Sequence, residues 1–251
     1  TTTGANITAV GHSALQVNVS GGQNTAVGQL ALLNNTANNN TAVGYACMDA
    51  NTSASDNCAI GAAAMSATTT GGSNTGIGRD ALLSLTTGIQ NCAVGMGALR
   101  DVTTGANNTG LGKSSLNLVS GGASGNTGIG EASGYTVTTG GQNTFVGKAT
   151  GGPTDASRTV IIGADLGDRG NTSNMVVIGT GSVVATFSGS ATGWTFSSDG
   201  RDKTDIVDLS LGLDFINKLK PRKFRWDYRD KTRYSKESFE NPDMLIRSGF
   251  I

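Results

Sequence analysis

Histidine occurs once in this 251-residue chain, cysteine and proline three times each, and aromatic residues make up only 5% of it. His12 and three dispersed cysteines supply no metal-ligand spacing, so no metal centre is expected, and no motif calls for a cofactor. No run of eighteen apolar residues occurs, which excludes a membrane-spanning helix. Charged residues are sparse at 14%, and glycine, with 38 residues, is about twice its average usage. The absence of a Gly-X-Y period excludes collagen. Thr1 stands where an initiator methionine would, so a fragment or a processed form is expected.

The net charge of zero conceals a break. Residues 1–185 carry six Lys/Arg and eight Asp/Glu, whereas residues 198–251 carry twelve and ten. Ten of the thirteen aromatics lie at or after Phe187. Two different materials meet near residues 181–197.

What the first material has is a beat. An aliphatic residue followed by glycine recurs at Gly11, Gly28, Gly44, Gly61, Gly78, Gly95, Gly112, Gly130, Gly147, Gly163 and Gly179, at intervals of 16 to 18 residues. A fixed period of this size is the signature of a repeat architecture. In Asn24-Thr25-Ala26-Val27-Gly28 the residues before the glycine read as a short strand, with Thr25 and Val27 on one face and Ala26 on the other. A second apolar patch follows each glycine, as in Ala31-Leu32 and Ala98-Leu99, and reads as a second short strand. Turn residues such as Thr70-Gly71-Gly72 then close the rung.

Three slots of the rung carry expectations. Val27 and its counterparts are expected in a thin core. The slot of Ala9, Ala26, Ala42, Ala59, Gly76, Ala93, Gly110 and Gly128 holds only small residues, which calls for a partner chain against that face; a symmetric oligomer of parallel chains would supply one. Asparagine opens eight consecutive rungs, from Asn24 to Asn143, where stacked amides can form a ladder and a left-handed corner is tolerated. Eleven rungs at ~4.8 Å give a rod of about 50 Å. Cys58 and Cys92 take the threonine slot two rungs apart, about 9–10 Å and beyond disulfide reach; with Cys47 they are expected to be small buried hydrophobes. After Gly147 the small slot becomes Ile161 and Val177, following Phe145, and the cross-section is expected to change.

These rungs resemble the SVAIG-type repeats of trimeric autotransporter adhesin heads, which are parallel β-rolls. They resemble more closely the NTAVG-x-x-AL arrays of phage tail fibres. The resemblance spans about residues 5–180 and implies an all-β parallel β-solenoid, homotrimeric, with repeats of about 17 residues.

The second material begins after two segments that look like connector strands, residues 183–187 and 193–196. Leu209, Gly212, Leu213 and Ile216 fall on one helical face, with Ser210 as the N-cap and Pro221 as a stop. Phe224, Trp226 and Tyr228 alternate with charges as in a half-buried strand. Ser198-Asp199-x-Arg201-x-Lys203-x-Asp205-Ile206, then Leu211-Gly212-Leu213-Asp214-Phe215-Ile216 and Leu219-x-Pro221-x-x-Phe224-x-Trp226, resemble the intramolecular chaperone auto-processing domain of phage tailspikes and fibres. That resemblance implies a Ser198–Lys203 dyad and a cut between Ser197 and Ser198, made once per chain. A serine hydroxyl needs an adjacent base, and a lysine serves only if its pKa is lowered, to which Arg201 could contribute.

The expected organisation is a shaft over 1–180, a connector over 181–197, and over 198–251 the first part of an α+β chaperone domain. Expected partners are two further copies of the chain and a host cell-surface receptor or glycan, at a virion tail or another extracellular location. A bacterial trimeric surface adhesin, binding ligand along its rungs, is the second reading. Gly112-Lys113-Ser114 mimics a phosphate-binding loop but lacks its earlier glycine. The nine Lys/Arg of residues 218–236 are interleaved with aromatics, yet alternation accounts for these without a nucleic acid. Asp49, Asp56, Asp80, Asp101 and Glu131 do not recur in slots that would align them as glycosidase carboxylates.

Overall fold

A computed structural model describes residues 4–152, 154–167, 172–188, 195–196, 222–223 and 248–249. The chain divides into two compact units, residues 1–199 and 200–251. In the first, nine three-residue strands follow one another: β1 (Thr8–Val10), β2 (Thr25–Val27), β3 (Thr41–Val43), β4 (Cys58–Ile60), β5 (Thr75–Ile77), β6 (Cys92–Val94), β7 (Thr109–Leu111), β8 (Thr127–Ile129) and β9 (Thr144–Val146). Two longer ones, β10 (Val160–Ala164) and β11 (Met175–Thr180), complete a parallel ladder in strict sequence order. Each strand pairs with the next in register, Thr25 with Thr41 and Val27 with Val43, for example. This is the all-β parallel solenoid of about 17 residues per turn that the beat foretold. At its end β12 (Val183–Ser188) folds back antiparallel on β11, and β13 (Thr195–Phe196) pairs antiparallel with β12. In the second unit β14 (Arg222–Lys223) pairs antiparallel with β15 (Ser248–Gly249). The helix expected between Ser210 and Pro221 and the strand of Phe224, Trp226 and Tyr228 lie outside the described residues.

The recurrent glycine is required twice over. At Gly95 φ is +135°, a region that side chains cannot share, and a Cβ there would sit 2.5 Å from the carbonyl oxygen of Gly112 in the next rung. The backbones of successive rungs touch at this corner, so the column admits nothing larger.

Beyond the corner the expected second strand is not a strand. Leu30 and Leu32 have φ of +62° and +50°, and the rungs above repeat the pattern at Ala46 and Met48, Ala63 and Met65, and Asp80 and Leu82. Left-handed residues alternating with others give a tightly folded wall, unlike extended chain. Inter-rung hydrogen bonds hold it: Leu30 N–H donates to His12 O in the preceding rung and Leu32 N–H to Cys47 O in the following one, both at 3.0 Å. These bonds determine a backbone that bulky residues alone would avoid.

The inside of the roll reverses the sequence expectation. Ala26, Ala42, Ala59 and Ala93 are completely buried, while Val10, Ile60, Leu111, Ile129, Ile162 and Ile178 are 40–58% exposed. The small slot faces inward and the aliphatic slot faces out. The interior is one large side chain deep: Leu32, Met48, Met65, Leu82, Leu99 and Leu116 reach across from the folded wall and fill it. A Cβ on Gly76 would lie 2.8 Å from Met65 Cγ. The small residues are thus explained by the roll's own far wall, and no partner chain is needed against them.

One rung exchanges the two sizes. Where the wall residue shrinks to Gly134, the strand slot enlarges to Phe145, which is fully buried. A Cβ on Gly134 would stand 2.7 Å from Phe145 Cδ2 and one on Gly152 2.7 Å from its Cζ. The ring takes the volume that leucine occupies in earlier rungs. Ile161 and Val177 continue the enlarged slot.

The asparagine ladder is present and more completely bonded than stacking requires. All eight residues are buried. Asn91 Oδ1 accepts the backbone N–H of Asn108 at 3.0 Å and its Nδ2 at 3.1 Å, while Asn91 Nδ2 donates to Gly105 O at 2.8 Å. The left-handed corner falls one residue earlier than expected, at Gln23, Asn39, Asp56, Ser73, Gln90, Asn107 and Gln142, with φ of 57–62°. A second buried polar column, Asn18, Asn35, Asn51 and Thr68, gives way to Leu85, Val102, Val119 and Val137 higher in the stack.

The three cysteines are free. Cys47, in the alanine slot of the wall, is fully buried, and burial pushes its thiol up to about 12 from an ordinary 9.0, which leaves it protonated and inert. Cys58 and Cys92 are only half-buried, because the threonine slot lies on the outward face. The buried-hydrophobe reading therefore holds for Cys47 alone.

Candidate functional site

Ser197, Ser198 and Lys203, the expected cleavage site and dyad, lie outside the described residues. Their nearest described neighbours in sequence are Thr195 and Phe196 of β13, paired with Thr186 and Ala185 of β12. The expected cut therefore falls one residue beyond the last strand of the solenoid sheet. Cleavage there would leave that sheet whole.

Among the described residues the shaft offers two surface features. The first is the outward face of the strands. Along it run the half-buried column Thr25, Thr41, Cys58, Thr75 and Cys92 and, two residues on, the aliphatic column from Val10 to Ile178. The column after the glycines varies freely, from His12 and Tyr45 to Arg79 and Met96. In it Lys113 and Lys148 flank Glu131 at 3.8 and 3.9 Å. These exposed pairs are screened by water and add little to stability.

The second feature is a cleft of about 540 Å³ in the upper part of the roll. The interval from Gly112 to Gly130 is 18 residues, and the additional residue loops outward at Gly121 and Gly122, both exposed. A Cβ on Gly121 would meet nothing within 4 Å. Ser120, Ser124, Thr139, Gln142, Ser157 and Arg158 contribute hydroxyl, amide and guanidinium groups to the cleft, and no carboxylate lines it. Arg158 is held by a 2.7 Å bond from its Nε to Asn174 Oδ1. The sequence reading missed this cleft, although the longer interval was its signal.

The demoted motifs find no site. Gly112 is a rung corner with φ of +130°, and Lys113 pairs with Glu131, so no phosphate loop forms. Among the described residues no group of three or more His, Cys, Asp or Glu could hold a metal ion, and no helix is long and apolar enough to cross a membrane. Asp49 is drawn toward its neutral form by burial, but it stands apart from the other carboxylates.

Residues 198–250 match the peptidase family described as chaperone of endosialidase. The match begins at the serine expected to act as nucleophile and covers the charged, aromatic-rich end of the chain. No curated protein and no solved structure gives a significant match. A parallel β-solenoid followed by this chaperone segment supports a tail-fibre-like or endosialidase-like protein.

Proposed function

We propose that this chain is the shaft of a phage tail fibre used in host attachment, assembled as a homotrimer by a C-terminal chaperone that then releases itself between Ser197 and Ser198. The observation that carries this reading is the chaperone match starting at Ser198, immediately after the last strand of a repetitive solenoid. A rod with identical rungs has mechanical reach, and its ends must be matched by something outside the repeat, because any rung can pair with any other. A chaperone at one end supplies that registration.

The chemistry balances within the chain and one water. Ser198 Oγ attacks the carbonyl carbon of Ser197 while neutral Lys203 takes the hydroxyl proton. The Ser197–Ser198 amide C–N bond breaks, the proton passes to the departing nitrogen, and an ester joins Ser197 to Ser198 Oγ. Water then hydrolyses that ester, leaving a carboxylate on Ser197 and a free amine on Ser198. The full-length protein is expected to run as two pieces on denaturing gels, one beginning at Ser198, and Ser198→Ala as a single piece that is still trimeric on native gels. An uncut trimer from both would end the self-processing claim, and a soluble monomer would end the trimeric one.

The cleft favours a second reading, an extracellular adhesin that binds ligand on its shaft. Hydroxyls, an amide and a guanidinium without a carboxylate suit an acidic saccharide, which arginine holds by paired hydrogen bonds. Binding to immobilised acidic glycans is expected to fall at least tenfold in Arg158→Ala. Equal binding by both proteins, or none by either, would remove the cleft from the argument.

A further inference from the structure

We infer that the aliphatic ladder from Val10 to Ile178 is the surface through which copies of this chain associate, parallel and rung for rung. The inference rests on the homotrimer proposed above and adds to it the face and the register.

The ladder is anomalous for a surface. All eleven of its positions are Val, Ile or Leu; Val10, Ile60, Leu111, Ile129, Ile162 and Ile178 are 40–58% exposed, and Val27, Val43, Ile77, Val94 and Val146 between them are half-buried. A mostly half-buried slot on the folded wall shows no such restriction, running through Gln16, Leu33, Asp49, Ser66, Leu83 and Arg100. The roll does not need these side chains inside, since Leu32, Met65, Leu99 and their equivalents fill it. Isolated exposed apolar residues are ordinary, but a continuous line of them along one face marks a contact surface.

Its dimensions fit a copy of itself. Eleven rungs at ~4.8 Å span about 50 Å, and three columns two residues apart span about 13 Å, a strip of roughly 650 Å². Each partner in a standard interface contributes ~800 Å². A second copy presents the same spacing along the whole strip by construction, so every ladder residue meets an apolar counterpart. The ladder and the Thr/Cys column are uncharged over all described rungs, and the third column, beyond the glycine corner, carries Arg79, Lys113, Glu131 and Lys148 as a polar rim to the strip. Small periodic slips are allowed by the ladder alone, which is why the chaperone match at one end matters to register.

Cross-linking of the full chain decides the matter. In a background of Cys47→Ala, Cys58→Thr and Cys92→Thr, which restores the usual residue of each slot, single cysteines are placed at Ile129 or at Leu118. The two sites are 42% and 40% exposed, but only Ile129 lies on the ladder. Mild oxidation is expected to convert up to about two-thirds of Ile129→Cys chains to disulfide-linked pairs, one pair per trimer, because in-register copies bring each cysteine beside its own equivalents, and to leave Leu118→Cys monomeric on denaturing gels. Ile77→Asp combined with Ile129→Asp is expected to shift the native mass to that of a monomer with the β-sheet circular dichroism retained. A trimer that cross-links at Leu118 and not at Ile129 would overturn the face while leaving the trimer standing. A monomeric parent protein would overturn both. If the double aspartate variant fails to fold, the cysteine pair still decides.

Discussion

Replacing Gly95 with alanine is expected to cost at least about 4 kcal/mol, a large effect for a single added methyl group. The backbone at Gly95 has φ of +135°, and the added Cβ would lie 2.5 Å from both the carbonyl carbon and the oxygen of Gly112 and 2.9 Å from the nitrogen of Lys113. No rotamer relieves this, because every atom involved is backbone. The two rungs must separate, and with them the inter-rung bond from Gly112 N–H to Val94 O is disturbed. Taking roughly 2–4 °C per kcal/mol for a domain of this size, the melting temperature falls by about 8–16 °C. Gly97 is the matched control. It also has positive φ, +65°, but its nearest outside atom would be Ser114 Oγ at 3.9 Å, and alanine there is expected to cost only about 1–2 kcal/mol. Thermal melts of Gly95→Ala and Gly97→Ala that coincide would show that rung-to-rung contact is not what the glycine column protects.

The second large effect is in the amide ladder. Asn91→Ala removes the acceptor of the Asn108 N–H and the donor to Gly105 O, both inside a column that excludes water. Each buried group left without a partner costs about 1–3 kcal/mol, so a loss of about 2–6 kcal/mol is expected in denaturant melts. Asn91→Asp sharpens the test through pH. It retains an oxygen acceptor for Asn108, but its carboxylate loses the bond to Gly105 O and must be desolvated, which raises its folded pKa above the unfolded value. A raised pKa places the stabilised state at low pH: the variant is expected to be near its best below about pH 4 and to weaken as pH rises. A variant that melts equally at pH 4 and pH 7 would mean that the ladder is open to water. The exposed Asn34, whose Nδ2 also donates to a carbonyl in the next rung at 2.8 Å, is expected to tolerate the same change with under about 1 kcal/mol.

Both predictions use columns that could be read directly from the chain. The glycine beat and the recurring asparagine are visible because stacking in register turns one residue's environment into the same environment a rung later. Whatever is required at Gly28 is required again at Gly44. The second wall was less legible. Ala31-Leu32 has the composition of a strand, and nothing in those residues announces the left-handed conformations of Leu30 and Leu32, which exist because carbonyls of the rungs before and after bind their N–H groups. The exchange between Gly134 and Phe145 was also hidden, since the two residues are neighbours only after the chain has gone most of the way around a turn. For the proposed chemistry the only guide is sequence: Ser198 and Lys203 are proposed from the resemblance of their surroundings to the auto-processing domain, and the chaperone match covers the segment that holds them.

By itself the sequence determined the period, the parallel in-register stacking, the corner glycine, the amide ladder and the charge break where a chaperone segment begins. These depend on local chemistry repeated at a constant interval. Which face of the strand turns inward was decided only in three dimensions. Alternation along Thr-Ala-Val separates two faces without saying which one is enclosed, and hydrophobicity points to the valine. The cross-section of the roll overrides it, because a space already occupied by Leu32, Met65 and Leu99 from the opposite wall leaves room for alanine or glycine and no more. The aliphatic ladder is consequently on the outside, where a surface for other copies of the chain can form.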